Sequence, residues 1–260
     1  MDKLLHEGRK EAFRALVGSH NYNLNTAGSD KDYKVFVLPT FDDMYENIKY
    51  SKSHIGNEVD LDVHDIRKLP NLFFKANTNF LELLFTEELI LGTGTHKITQ
   101  DLIQELYKMR DHIARMNLSN LYSTCIGTFN QRMKNLDKGT SGTKHLVDKF
   151  GYDTKEAMHA IRSLNFIKRY ADNNFTDFKA ALWYDDEDPM RGILLGIKNG
   201  TIPKDRFLQY AEHTLQTTME IYGPIYKEKE FDSQANEYLT RIIKLIVKKN
   251  IFYNTDSDRK

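Results

Sequence analysis

The sequence contains one cysteine, Cys125, in 260 residues. A single thiol can build neither a disulfide framework nor a cysteine-based zinc site within the chain. Long apolar runs are also absent, and nothing approaches the ~20 residues that a membrane span requires. The opening segment, MDKLLHEGRKEAFRALV, is charged throughout and does not read as a secretion signal. Neither sign of charge dominates. Lys plus Arg and Asp plus Glu number 37 each, so the formal net charge is zero. That removes any global attraction to nucleic acid while leaving room for a local basic groove. No fixed-period repeat and no extended low-complexity tract stands out. These absences predict a cytoplasmic protein with no membrane partner. The apolar content of 40% and aromatic content of 12% are enough for a packed core in one large or two small domains.

What is present is concentrated in Leu16–Pro39, LVGSHNYNLNTAGSDKDYKVFVLP. Phe13–Val17 predicts a first strand that delivers the small pair Gly18-Ser19. Ten residues on come Ser29, Asp30 and Asp32, followed by a second strand over Tyr33–Leu38. Strand side chains alternate with period two, so Asp30 and Asp32 leave the same face, followed by Lys34, Phe36 and Leu38. Two carboxylates aimed together repel unless a cation lies between them or one is protonated. A hard cation such as Mg²⁺, for which Mn²⁺ can stand in, takes carboxylate oxygens and completes its shell with waters and substrate phosphates. Gly18-Ser19 offers small residues and backbone N–H groups suited to phosphate. An isolated Asp-x-Asp is a common solvated turn. Order, spacing and the following strand together make this pattern far more specific.

Further acids follow. Tyr50–His54 and Val59–His64 predict two strands joined across Gly56-Asn57. In the second of these, Glu58, Asp60, Asp62 and His64 share one face. That face reads equally as a charged edge strand or as the source of the third carboxylate that two-metal phosphoryl transfer needs.

The motif resembles the signature of the polymerase β-like nucleotidyltransferase superfamily. It is similar in particular to a bacterial and phage branch reading Gly-Ser-x-x-Tyr-x-Leu-x-Thr-x-x-Ser-Asp-x-Asp. Here the matching positions are Gly18, Ser19, Tyr22, Leu24 or Asn25, Thr26, Ser29, Asp30 and Asp32, and Asn23 stands where members often carry Gly. The resemblance continues through Lys75–Phe85 and through GYDTKEAMHAIR, Gly151–Arg162. It implies that Asp30, Asp32 and Asp60 hold Mg²⁺, with Asp62 a rival to Asp60. It also implies that Gly18, Ser19 and Ser29 meet the nucleotide. On a helix capped by Asp153, Lys155, His159 and Arg162 fall at i, i+4 and i+7 on one face, which by itself reads as an ordinary solvated stripe; the resemblance implies that they touch nucleotide phosphate or acceptor. Glu156 is placed to complete a capping box with Asp153, and Glu82 reads as structural or as support for the site.

The remaining expectations are coarser. Helices are predicted over Lys3–Arg9, Phe41–Lys49, Asp65–Lys75, Thr99–Met109, His112–Met133, Thr154–Tyr170, Lys204–Tyr222 and Asn236–Asn250. Disorder is predicted over Asn254–Lys260. Gly92–Gly94 reads as a soft boundary. The expected fold is α+β: a small mixed sheet with flanking helices over residues 1–92, then a helical domain over 93–260 closing the cleft. The implied activity is transfer of a nucleoside monophosphate from a nucleoside triphosphate to a hydroxyl of a nucleic acid, protein or small molecule, releasing pyrophosphate. The rival readings are a non-catalytic nucleotide sensor or regulator, and a toxin–antitoxin or defence component modifying a tRNA or protein.

Overall fold

The computed structural model describes residues 6–56 and 58–257, the side chains of 253–257 excepted. The chain begins with strand β1 (Glu11–Val17), a short helix α1 (Ser19–Tyr22) and strand β2 (Lys31–Val37). Helix α2 (Phe41–Tyr45) leads to strands β3 (Ser51–His54) and β4 (Val59–Asp65). A 3₁₀ turn, Ile66–Lys68, then precedes α3 (Leu69–Phe74), α4 (Thr78–Leu81), a second 3₁₀ turn (Glu82–Phe85) and strand β5 (Leu89–Leu91). The five strands form one mixed sheet in the order β3-β4-β2-β1-β5. β2 and β4 are parallel, and the other neighbours are antiparallel.

Alternation divides the sheet into two faces. Leu16, Tyr33, Val35, Val37, Tyr50 and Val63 build an apolar cluster on one side, with Leu61 packed against it. The other face carries Phe13, Ala15 and Val17 on β1, then Asp32, Lys34 and Phe36 on β2, and Asp60, Asp62 and His64 on β4, in register across the strands. Its distant end is closed by rings. Phe13 stacks on Phe36 at 5.1 Å, Tyr107 meets Phe13 edge-on, and Phe80 meets His64. Burying each such ring contributes roughly 1.5–3 kcal/mol. The end bearing Asp32 and Asp60 is not covered in this way, and both acids are half-buried.

The chain continues through α5 (Lys97–Lys108) and α6 (Arg110–Arg115), then α7 (Leu118–Asn135), α8 (Lys144–Phe150) and α9 (Thr154–Asp172). After these come α10 (Phe178–Leu182), α11 (Pro189–Lys198), α12 (Lys204–Thr217), a π-helical turn (Thr218–Tyr222), α13 (Gly223–Lys227) and α14 (Ser233–Ser257). The residues fall into two compact units. One comprises the chain up to Asn21, Asn25–Met116 and the chain from Asp232; the other comprises Tyr22–Leu24 and Asn117–Phe231. In the first unit α14 buries Leu239, Ile242, Ile243 and Ile246, and it packs on α5 and α3. The second unit is helical and centred on α9, which packs against α7 and α11.

Several expected elements differ in extent. His112–Met133 is two helices, because Asn117 leaves helical geometry at φ −142° and its side chain accepts the Asn120 N–H. Asp65 caps as expected, accepting the Arg67 N–H, but Pro70 follows a 3₁₀ turn and sits in the first turn of α3. Glu156 makes no capping box; its carboxylate is taken by Arg132 and Asn135. The helix expected over Lys3–Arg9 lies partly outside the described residues, and Glu7 and Gly8 form a turn at positive φ. Asn57 of the expected hairpin also lies outside them. α14 runs on to Ser257, where disorder was expected; 258–260 lie outside the described residues. No helix among the described residues is long and apolar enough to cross a membrane.

Candidate active site

β1 ends where the site begins. Val17 pairs with Asp32 across the antiparallel ladder, and Asp32 pairs with Asp60 across the parallel one. Neighbouring strands lie about 4.8 Å apart, so the two carboxylates leave the same face as close neighbours. Gly18 turns the chain at φ +75°, a conformation that disfavours L side chains. A Cβ placed there would stand 2.5 Å from Asp32 Oδ2. Glycine therefore serves two needs: it permits the turn and lets the carboxylate lie against the backbone.

The Gly18 N–H donates to Glu82 Oε2 at 3.1 Å, and Glu82 is only 2% exposed. Asn21 fastens the same corner, donating to the Glu82 carbonyl and accepting the Glu87 N–H. The sequence left Glu82 between a structural and a supporting role; the structure sets it against the Gly-Ser turn. Ser29 closes the loop ahead of the acids. Its hydroxyl accepts the Thr26 N–H at 2.9 Å, and His20 Nε2 lies 3.1 Å from its carbonyl oxygen. Asp30 stands exposed just before β2. The Asp60 carboxylate accepts the Gly56 N–H at 3.0 Å.

Asp62 has a different environment. Lys34 Nζ donates to it at 2.8 Å, His64 Nε2 lies at 2.9 Å and Ser53 donates at 3.3 Å. Burial alone would raise its pKa, but the hydrogen bonds from His64 and Lys34 outweigh this and hold it well below the usual carboxylate range. Asp62 serves as the counter-ion of Lys34, whose ammonium is largely buried 4.3 Å from the Phe80 ring centroid.

Among the described residues, no three acids, histidines or cysteines converge as a ready-made metal cage. The donor set nonetheless suits a hard divalent cation, which takes only one or two carboxylates from a protein and draws further oxygens from water and phosphate. Asp32 and Asp60 in register, with Asp30 two residues before Asp32, supply such oxygens and no soft ligand.

In the second unit, Lys155, His159 and Arg162 lie on α9 as the spacing predicts, and two further cations stand near His159. Desolvation first, then Arg162, Arg132, Lys155 and Lys198, hold the His159 pKa well below 6.5. The Arg162 guanidinium lies 3.9 Å from the Tyr22 ring centroid. Lys198 donates to the Leu24 carbonyl, Arg191 to that of Asn23, and the Tyr184 N–H to that of Tyr22. Asn23 adopts φ +61°, the left-handed region in which Gly or Asn is least strained. Arg132 and Lys198 escaped the sequence reading because each lies far along the chain from α9. Cys125 is buried, and desolvation pushes its thiol up to about 12, so it is not a nucleophile at neutral pH.

The His159 environment has a consequence for stability. The unfolded chain takes up a proton near the ordinary value while the folded chain does not. Stability is thus retained above about pH 6.5 and lost as pH falls from there toward the folded pKa. Melting temperatures of wild type and His159→Gln between pH 7.5 and 5.5 should show a shallower acid-side decline in the variant.

The model of the RNA repair pathway DNA polymerase beta family, RlaP, matches residues 6–243. The chain belongs to this family. RlaP is a polymerase β-like nucleotidyltransferase family, and the match spans the mixed sheet, the Gly-Ser turn, the acids and α9. No curated protein matches the chain.

Proposed function

We propose that the protein is a Mg²⁺-dependent nucleotidyltransferase. It would move a nucleoside monophosphate from a nucleoside triphosphate to an acceptor hydroxyl and release pyrophosphate. The observation that carries this reading is the register Val17–Asp32–Asp60, which sets two carboxylates beside the Gly18-Ser19 turn. An RNA end is the acceptor best supported, because the family is described by an RNA repair pathway.

Asp30, Asp32 and Asp60 would hold Mg²⁺, or Mn²⁺ in its place. When bound, the metal braces the triphosphate and lowers the pKa of the attacking hydroxyl. Asp60 accepts the proton of that hydroxyl as its oxygen bonds to the α-phosphorus and the bond to pyrophosphate breaks. Glu82 already takes the Gly18 N–H, so Ser19 would donate to the terminal phosphates, with Gly18 providing room. Ser29 holds the loop that carries Asp30. In the second unit, Lys155 and Arg162, with Arg132 and Lys198 near them, would offer cationic groups to phosphate. His159, neutral at pH 7, would offer an uncharged imidazole N–H.

Separate Asp60→Asn and Asp62→Asn variants test the assignment, using radiolabelled nucleoside triphosphates, Mg²⁺ and a single-stranded RNA. Asp60→Asn is expected to lower transfer by at least ~10²-fold with little change in melting temperature. Asp62→Asn is expected to lower the melting temperature, because it leaves the Lys34 ammonium without its counter-ion, and to retain most of the activity. The reverse pattern would assign the third carboxylate to Asp62.

A further inference from the structure

A second surface lies in the first unit, on α14. Between it and α2–α3 runs an apolar groove of about 580 Å³, whose lining includes Met44, Pro70, Ile243, Val247, Ile251 and Phe252. Exposed rings stand in the lining and beside Met44 on α2. Phe41 and Tyr45 stack on each other at 6.4 Å while standing 64% and 84% exposed, and Phe252 is 59% exposed. A concentration of this kind marks an interaction site more often than a bare surface.

The charged side chains that line the groove among the described residues are basic, while Asp42 on α2 and Glu46 just after it stand exposed outside the lining. Among the described residues the lining includes Arg67, Lys244 and Lys248 but no Asp or Glu. Arg67 is neutralised internally by the fully buried Asp65. Lys244 and Lys248 stand exposed, with no carboxylate partner among the described residues. From Arg241 to Phe252, α14 carries Arg241, Lys244, Lys248 and Lys249 and no acid. Thr240, Ile243, Val247 and Ile251 recur at three- to four-residue spacing along the lining, roughly three helical turns or ~17 Å.

We propose that this groove docks an amphipathic helix of a partner protein, one whose apolar face is flanked by acidic residues. The walls are helices, with no sheet edge to extend, which favours a helix laid into a groove over an added strand. A polyanion such as RNA would meet the lysines but leave the apolar lining uncovered. A second copy related by a two-fold axis would set Lys244 and Lys248 against their own equivalents. Complementary charge on the partner removes that conflict and steers the encounter.

The probe is a fluorescein-labelled peptide with Leu at i, i+3, i+4 and i+7 and Glu on both flanks. Its control has Lys in place of each Glu. Fluorescence anisotropy with the full-length chain should show saturable binding of the acidic peptide, weakened by salt, and much weaker binding of the control. The double variant Lys244→Glu/Lys248→Glu should weaken the acidic peptide by about tenfold or more, and Phe252→Glu should do likewise. All three positions are exposed, and unchanged circular dichroism and melting temperature would show that the variants fold. The proposal is overturned if neither peptide binds, if both bind equally, or if the charge reversal has no effect. It is equally overturned if a single-stranded RNA competes the peptide off, or if sedimentation shows a dimer abolished by Phe252→Glu.

Discussion

Asp32→Asn is expected to lower nucleotidyl transfer by at least ~10²-fold while leaving the fold intact. The magnitude follows from the size of electrostatic terms at centres where charge develops. Asn nearly matches Asp in shape, so the pairing of β2 with β1 and β4 has no reason to change. What is lost is the anionic oxygen beside Gly18 and across from Asp60. Asp30→Asn should act in the same direction. Comparing kcat with KM separates two origins of the loss. Loss of an acid that holds metal in both ground and transition states raises KM as well, whereas loss of one that stabilises only the developing charge lowers kcat alone. Equal turnover by wild type and Asp32→Asn would remove the metal assignment.

The second large effect is expected at Gly18. An alanine there places its Cβ 2.5 Å from Asp32 Oδ2 at a φ of +75°. The backbone strain costs about 1–2 kcal/mol, and relief of the clash displaces the carboxylate. A displacement near 1 Å can cost ~10²-fold in rate, so Gly18→Ala is expected to approach the Asp32→Asn loss without removing any charged group. Gly28→Ala supplies the control. Gly28 has φ +86° and nothing within 4 Å of a Cβ built on it. It should show similar strain in thermal melts and keep most of its activity. If Gly18→Ala were as active as Gly28→Ala, the close approach of Asp32 to the turn would have no catalytic importance.

Alternation made much of this site legible. Period two alone put Asp32, Lys34 and Phe36 on one face of their strand, and Asp60, Asp62 and His64 on one face of theirs, and the sheet presents both sets on the same side. Which residue faces which across strands was not legible, because register is a long-range property fixed only when β2 and β4 pair. That register distinguishes Asp60, opposite Asp32, from Asp62, opposite and bound to Lys34. The same limit hid the contact of Glu82 with the Gly18 N–H, 64 residues apart. β5 escaped for a different reason. A three-residue strand, Leu89–Leu91, carries too little pattern to show a period and is defined by its pairing with Phe13–Ala15. The break at Asn117 was masked because apolar residues keep a helical rhythm across it, and only the cap geometry separates the two helices. Local rules carried the chemistry of the acids, while tertiary pairing decides how each one is used.

The most direct test of the account is calorimetric titration of the wild-type chain with ATP, GTP, CTP and UTP, with and without Mg²⁺. The Asp30→Asn/Asp32→Asn variant is titrated in parallel. The account predicts Mg²⁺-dependent binding of at least one triphosphate that disappears in the folded double variant. Absence of triphosphate binding by wild type, or binding of equal strength by the variant, would contradict it.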